Sequence, residues 1–256
     1  MSGLHVEVAH PGVASRLTPG RVGREVWGII GGLGPLASAE FIRTIYDHAD
    51  LSTEQDAPRV IMFSDPTFPD RTTTITNGLA DSLLQRLEDG MWGLIRAGAT
   101  DIAVCCLTIH SLFPRLPREL RDKAVSLVDL VLDSVRGSQF ARHLLLCTNG
   151  SRQANLFEGR ENWPPHRVAL PDHGDQQQIH ELIYRLKNKA EPRQFCDLVE
   201  NLLAKYEADA FVAGCTELHL VCREWKKSGR RLCMVDPLEI LASRIAGRRS
   251  IAHPYV

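Results

Sequence analysis

Gly98-Ala-Thr-Asp-Ile-Ala-Val-Cys-Cys106 and Glu207-Ala-Asp-Ala-Phe-Val-Ala-Gly-Cys215 run alike: each leaves a helix end, crosses a short apolar strand and stops at a cysteine. Each terminal cysteine has a histidine four residues on, His110 and His219, and a threonine within two, Thr108 and Thr216. In an open α/β sheet, ligands bind just beyond the carboxyl ends of the strands, where both cysteines fall. Two related half-sites placed in this way can face one another across a cleft.

Outward from these two stretches, short apolar runs recur at Val26 to Ile30, Arg59 to Phe63, Asp101 to Cys105, His143 to Cys147, Asp209 to Ala213 and Leu232 to Val235. They are uninterrupted rather than alternating, the pattern of strands buried on both faces of a parallel sheet. Between them, apolar residues three or four apart predict helices, most clearly over Leu36 to His48, Leu79 to Ala97, Asp175 to Lys187 and Arg193 to Tyr206. Strand and helix alternate, so the expected fold class is doubly wound α/β. Residues 1 to 24 hold Pro11-Gly12 and Pro19-Gly20 with little periodicity and read as a loose extension.

Composition narrows the function. The 256 residues carry 30 Lys plus Arg against 31 Asp plus Glu, a formal net charge of -1, so no global field draws the chain to nucleic acid or to an anionic membrane. A small molecule is the expected partner. No apolar stretch approaches the roughly 18 to 20 residues that span a bilayer, and no secretory leader is visible, so a cytoplasmic protein is expected. Seven cysteines at irregular spacing, with no C-x-x-C pair, read as free thiols rather than as disulfides or a zinc ribbon. Cys105, Cys147, Cys196, Cys222 and Cys233 are assigned to packing.

Cys106 and Cys215 suit another task. Inverting a stereocentre beside a carboxylate needs a proton taken from one face and another returned to the opposite face. A thiol, with a reference pKa of about 8.5, can do either near neutral pH. A helix beginning after each cysteine is expected to favour thiolate, and its amides to bind a carboxylate.

With these residues in place, the chain resembles the aspartate/glutamate racemase superfamily. Gly28-Ile-Ile-Gly-Gly-Leu-Gly-Pro-Leu-Ala-Ser-Ala-Glu40 is similar to the opening strand, glycine loop and first helix of aspartate racemases, and Phe68-Pro-Asp-Arg-Thr72 to their Pro-Asp-Arg-Thr loop. Cys106-Leu-Thr-Ile-His110 aligns with Cys-Asn-Thr-Ala-His, Ala213-Gly-Cys-Thr-Glu-Leu218 with Gly-Cys-Thr-Glu, and Val235-Asp-Pro237 with a late Asp-Pro. The resemblance covers about residues 25 to 245. It implies two pseudo-symmetric lobes, 25–120 plus 236–256 and 121–235, each a mostly parallel sheet flanked by helices, with the active site between them. It further implies a cofactor-independent amino acid racemase, without pyridoxal phosphate or metal, that forms a homodimer. Cys106 and Cys215 become the two bases, Thr108, Thr148, Thr216 and Glu217 substrate-binding residues, and Arg71 the receiver of a side-chain carboxylate.

Three departures bear on substrate. Leu107 stands where the family has an asparagine that contacts the amino-acid backbone. Asp65 replaces another asparagine and either favours a cationic group in the cleft or caps a turn. The lysine that assists the distal carboxylate falls near Asn188, and neither Lys187 nor Lys189 is an automatic substitute, since each helical step turns the side chain by about 100°. Two alternatives therefore stand beside a racemase: a superfamily isomerase or decarboxylase acting on another carboxylate through one thiol, and an inactive binding homologue.

Overall fold

The computed structural model describes residues 25–227 and 233–247. The expected N-terminal extension and Leu232 lie outside this range. The first sheet holds β1 (Val26–Gly31), β2 (Arg59–Ser64) and β3 (Asp101–Val104) in the order β2-β1-β3. The second holds β4 (His143–Leu146), β5 (Val168–Ala169), β6 (Ala210–Ala213) and β7 (Cys233–Val235) in the order β5-β4-β6-β7. All strand pairs are parallel. The orders β2-β1-β3 and β5-β4-β6 are equivalent, so the cysteine loops after β3 and β6 occupy matching places in two lobes.

The longer helices are α1 (Pro35–His48), α3 (Ala80–Arg96), α5 (Leu127–Gly137), α7 (His173–Lys187), α8 (Arg193–Lys205), α9 (Leu218–Lys227) and α10 (Pro237–Ile245). Shorter ones are α2 (Arg71–Thr76), α4 (Arg118–Lys123) and α6 (Asn149–Gln153). Side-chain caps fix several starts: Asp70 accepts from Thr73 N, Thr148 from Ser151 N, and Asp172 from Asp175 N.

The apolar residues form three clusters. One covers the outer side of the first sheet with Ile30, Leu87, Met91 and Val104. A second covers the outer side of the other sheet with Leu146, Val199, Phe211 and Trp225. The third joins the lobes, drawing Trp27, Phe41, Leu132, Leu145 and Leu241 from both sheets and from α1, α5 and α10. The strand expectation needs one correction: β2 is an edge strand, not buried on both faces, and Phe63 is 43% exposed.

Candidate active site

The two cysteine loops meet. Thr216 Oγ1 donates to the Cys105 carbonyl at 3.2 Å, tying the loop after β6 to the loop after β3. Cys106 and Cys215 are both buried, 6% and 5% exposed. The Cys215 thiol donates to Glu217 Oε2 at 2.8 Å. Burial, reinforced by the Glu217 charge, pushes the Cys215 pKa well above its ordinary value although Lys187 opposes this. The expectation of a helix-favoured thiolate is therefore corrected at Cys215: α9 begins only at Leu218, and burial together with Glu217 favours the thiol. After Cys106 the chain enters a 3-10 turn, Thr108–Arg115, rather than an α-helix.

Arg71 opens α2 and turns back beneath the glycine loop, donating to the carbonyls of Pro69 and Leu33. Burial alone would lower its pKa, but negative charge at Cys106 and Glu217 raises it above the ordinary value. A thiolate on Cys106 thus has a guanidinium as counter-ion. Two buried polar atoms here lack partners: Arg71 Nε, a donor, and Glu217 Oε1, an acceptor. Glu217 Oε1 lies where Gly34 leaves room, since a Cβ on Gly34 would sit 2.1 Å from it.

Thr108 and Thr148, expected as substrate contacts, are brought together from opposite lobes. Their hydroxyls lie 3.1 Å apart, and each is 3.1 Å from Ser151 Oγ, a residue the sequence reading did not single out. Asp65 is differently occupied: Oδ1 accepts from Thr67 N and Oγ1, and Oδ2 pairs with Arg86 at 2.6 Å. Both oxygens serve the turn after β2. Leu107 is 1% exposed and packs in the core shared by the lobes. His110 stacks on Phe113 at 3.9 Å, and burial pushes its pKa down to about 3.

Lys187 is the principal residue that sequence reasoning undervalued. Burial lowers its pKa, but the interactions with Cys215 and Glu217 more than offset this. Its ammonium lies 4.0 Å from the Tyr184 ring centre and 3.7 Å from Asp70 Oδ2, while Tyr184 OH donates to the same oxygen at 2.7 Å. The spacing His180, Tyr184, Lys187 puts all three on one face of α7, a signal available in the sequence. The site is shut: besides Tyr184 and Asp70, Thr76 Oγ1 donates to Gln153 across the lobes at 2.8 Å.

Fold and site define a two-lobed parallel α/β protein with charged and thiol groups gathered between its lobes. The sequence profile of the Asp/Glu/hydantoin racemase family matches residues 30–245, and the chain belongs to that family. Among solved structures, the aspartate racemase of Picrophilus torridus is similar in fold with a TM-score of 0.74 and 24% identity, over 88% of this chain and 96% of that one. An aspartate racemase homologue from Pyrococcus horikoshii gives 0.64 and 22%, over 87% and 97%. A glutamate racemase from Francisella tularensis, in complex with D-glutamate, gives 0.52 and 15%, over 87% and 78%. Among the described residues, no helix is long and apolar enough to cross a membrane.

Proposed function

We propose that this chain is a cofactor-independent racemase of an acidic amino acid, working by two-base proton transfer between Cys106 and Cys215. The observation that carries the reading is the pair of complementary orphans in the closed site: a buried guanidinium N–H on Arg71 and a buried carboxylate oxygen on Glu217, both without partners. An amino acid supplies what each lacks, a carboxylate for the arginine and an ammonium for the glutamate. Lys187, with its charge also directed at the site, adds a second cation for a second carboxylate.

In this mechanism Cys106, beside Arg71, is the resting base, and Cys215, a thiol held by Glu217, is the resting acid. Cys106 removes the α-proton as a thiolate, the carbon becomes planar with charge spread into the carboxylate, and Cys215 delivers its proton to the other face. The thiol and thiolate have then exchanged places, ready for the opposite enantiomer. Thr108, Thr148 and Thr216 lie on the loops that join the lobes and hold the α-carboxylate through hydroxyl or backbone groups.

The test is racemisation of L- and D-aspartate and glutamate by the reduced protein, followed by circular dichroism of the amino acid. Conversion in both directions is expected. An inert protein, or one that racemises only neutral amino acids, would overturn the reading. An inactive binding homologue, the alternative that Leu107 motivates, would bind aspartate or glutamate without converting it in this assay.

A further inference from the structure

The loop from β2 to α2 carries Arg71 into the cleft, and one guanidinium on α3 grips that loop along its length. Arg86 Nη2 donates to Asp65 Oδ2 at 2.6 Å and to Thr67 Oγ1, and Nη1 donates to the Thr67 carbonyl at 3.0 Å. Its Cζ lies 4.7 Å from the centre of the Phe68 ring, a cation over an aromatic face. Asp65 Oδ1 accepts from Thr67 N and Oγ1 and closes the turn from within. Asp65, Thr67 and Phe68 are thus fixed by a helix that supplies no residue of the site described above.

Fixing these residues fixes Arg71. Pro69, next in the chain after Phe68, offers its carbonyl to Arg71 Nη1 at 3.2 Å. The other carbonyl that Arg71 reaches, from Leu33, belongs to the glycine loop. That loop is stacked on Asp65: Asp65 N donates to the Gly31 carbonyl at 3.2 Å. Gly32, at φ +84°, lies so close that a Cβ would strike the Asp65 backbone. Both oxygens that aim the Arg71 guanidinium therefore sit on chain that Asp65 and Arg86 hold. The Arg86 and Asp65 side chains are 37% and 19% exposed, and an ion pair this open to water contributes little to stability. Its effect is on position.

We propose that Asp65 and Arg86 are positioning residues for Arg71, their clamp on the loop after β2 setting where its guanidinium meets the substrate carboxylate and the Cys106 sulfur. The proposal rests on the reading of Arg71 as the carboxylate receiver. Pairing between a guanidinium and a carboxylate is strict in geometry, and a displacement of about 1 Å is enough to cost much of it. Loosening the clamp therefore weakens binding of an acidic amino acid. Arg71 also lies within hydrogen-bonding reach of Cys106. A less well-placed counter-ion leaves the Cys106 thiolate less favoured, so that it forms at higher pH.

The test compares Asp65→Asn, Arg86→Met and the double variant in the full chain, each checked for folding by circular dichroism. In steady-state racemisation, KM for aspartate should rise about tenfold in each single variant with a smaller change in kcat. The double variant should be no worse than the worse single one, because the two side chains act as one clamp. A second readout needs no turnover: the pH midpoint for alkylation of Cys106 by iodoacetamide, followed by peptide mass spectrometry, should rise by roughly one unit in both single variants. Asp81→Asn, which breaks the exposed pair of α3 with Arg115, should move neither quantity. If the unmodified chain leaves aspartate unchanged, the proposed function fails by itself, and the alkylation midpoint still decides the clamp. Folded Asp65→Asn and Arg86→Met proteins with the original midpoint and KM, or equal shifts in Asp81→Asn, would overturn the proposal.

Discussion

At the scale of single residues, the site is asymmetric although the loops that build it are alike. Cys106 faces a guanidinium; Cys215 faces a carboxylate that keeps it protonated. Removing a cation that pairs with substrate costs roughly 1.5 to 3 kcal/mol, about 10- to 150-fold. Arg71→Met and Lys187→Met should therefore each lower kcat/KM for aspartate by that order, measured by steady-state racemisation, with thermal unfolding little changed for Lys187→Met. Gly34→Ala should abolish activity while leaving the fold, because the new methyl takes the place of Glu217 Oε1; activity near the original level would show that Glu217 is dispensable. The placement of the thiols and of Thr108 and Thr216 just beyond strand ends was legible because each motif follows an apolar run. Lys187 was not, because counting residues to Asn188 ignored the phase that Tyr184 sets on α7. Nor could spacing show that Leu107 points into the core or that Asp65 is consumed by Thr67 and Arg86.

At the scale of elements, α2, α6 and α7 close the site. A Cβ on Gly150 of α6 would lie 2.9 Å from Thr72 Cα and 2.7 Å from its hydroxyl on α2. Gly150→Ala should hold these helices apart and raise KM with a smaller effect on kcat, and Tyr184→Phe, which removes the bond to Asp70, should act in the same direction. An unchanged KM in both would mean that closure is set elsewhere. Most strands were readable from uninterrupted apolar runs, and their ends moved by only a residue or so. The exception is β5, whose two residues are too few to carry a period. The edge position of β2 was also hidden, since Val60-Ile-Met-Phe63 is as apolar as a central strand.

At the scale of the whole molecule, the core shared between the sheets couples the lobes. Both should unfold in one cooperative transition, seen coincidentally by far-ultraviolet circular dichroism and tryptophan fluorescence. Leu132→Ala, in the shared core, should cost about 2 to 5 kcal/mol and leave the transition single; two separated transitions would contradict the coupling. Acid should weaken the fold early. His110 has its pKa pushed from 6.5 down to about 3 by burial, so the unfolded chain binds the proton first. The stability it contributes is complete above pH 6.5 and is lost as pH falls towards 3, at up to about 1.4 kcal/mol per pH unit. Denaturant titrations between pH 7 and 4 should show this loss, and His110→Leu should flatten it. Two-lobed symmetry was foreshadowed by the repeated cysteine stretches, but the shared core was not, because pattern within an element does not say which sheet its apolar face will meet.

The most direct test of two-base chemistry is α-proton exchange of L- and D-aspartate in deuterium oxide, followed by NMR and chiral analysis with Cys106→Ala and Cys215→Ala alongside the unmodified protein. The unmodified chain should exchange and invert both enantiomers. Each variant should lose inversion by about 10² to 10⁴-fold, while retaining exchange of one enantiomer, the opposite one in each case. Inversion at the original rate after removal of either thiol would contradict the assignment of Cys106 and Cys215 as the paired bases.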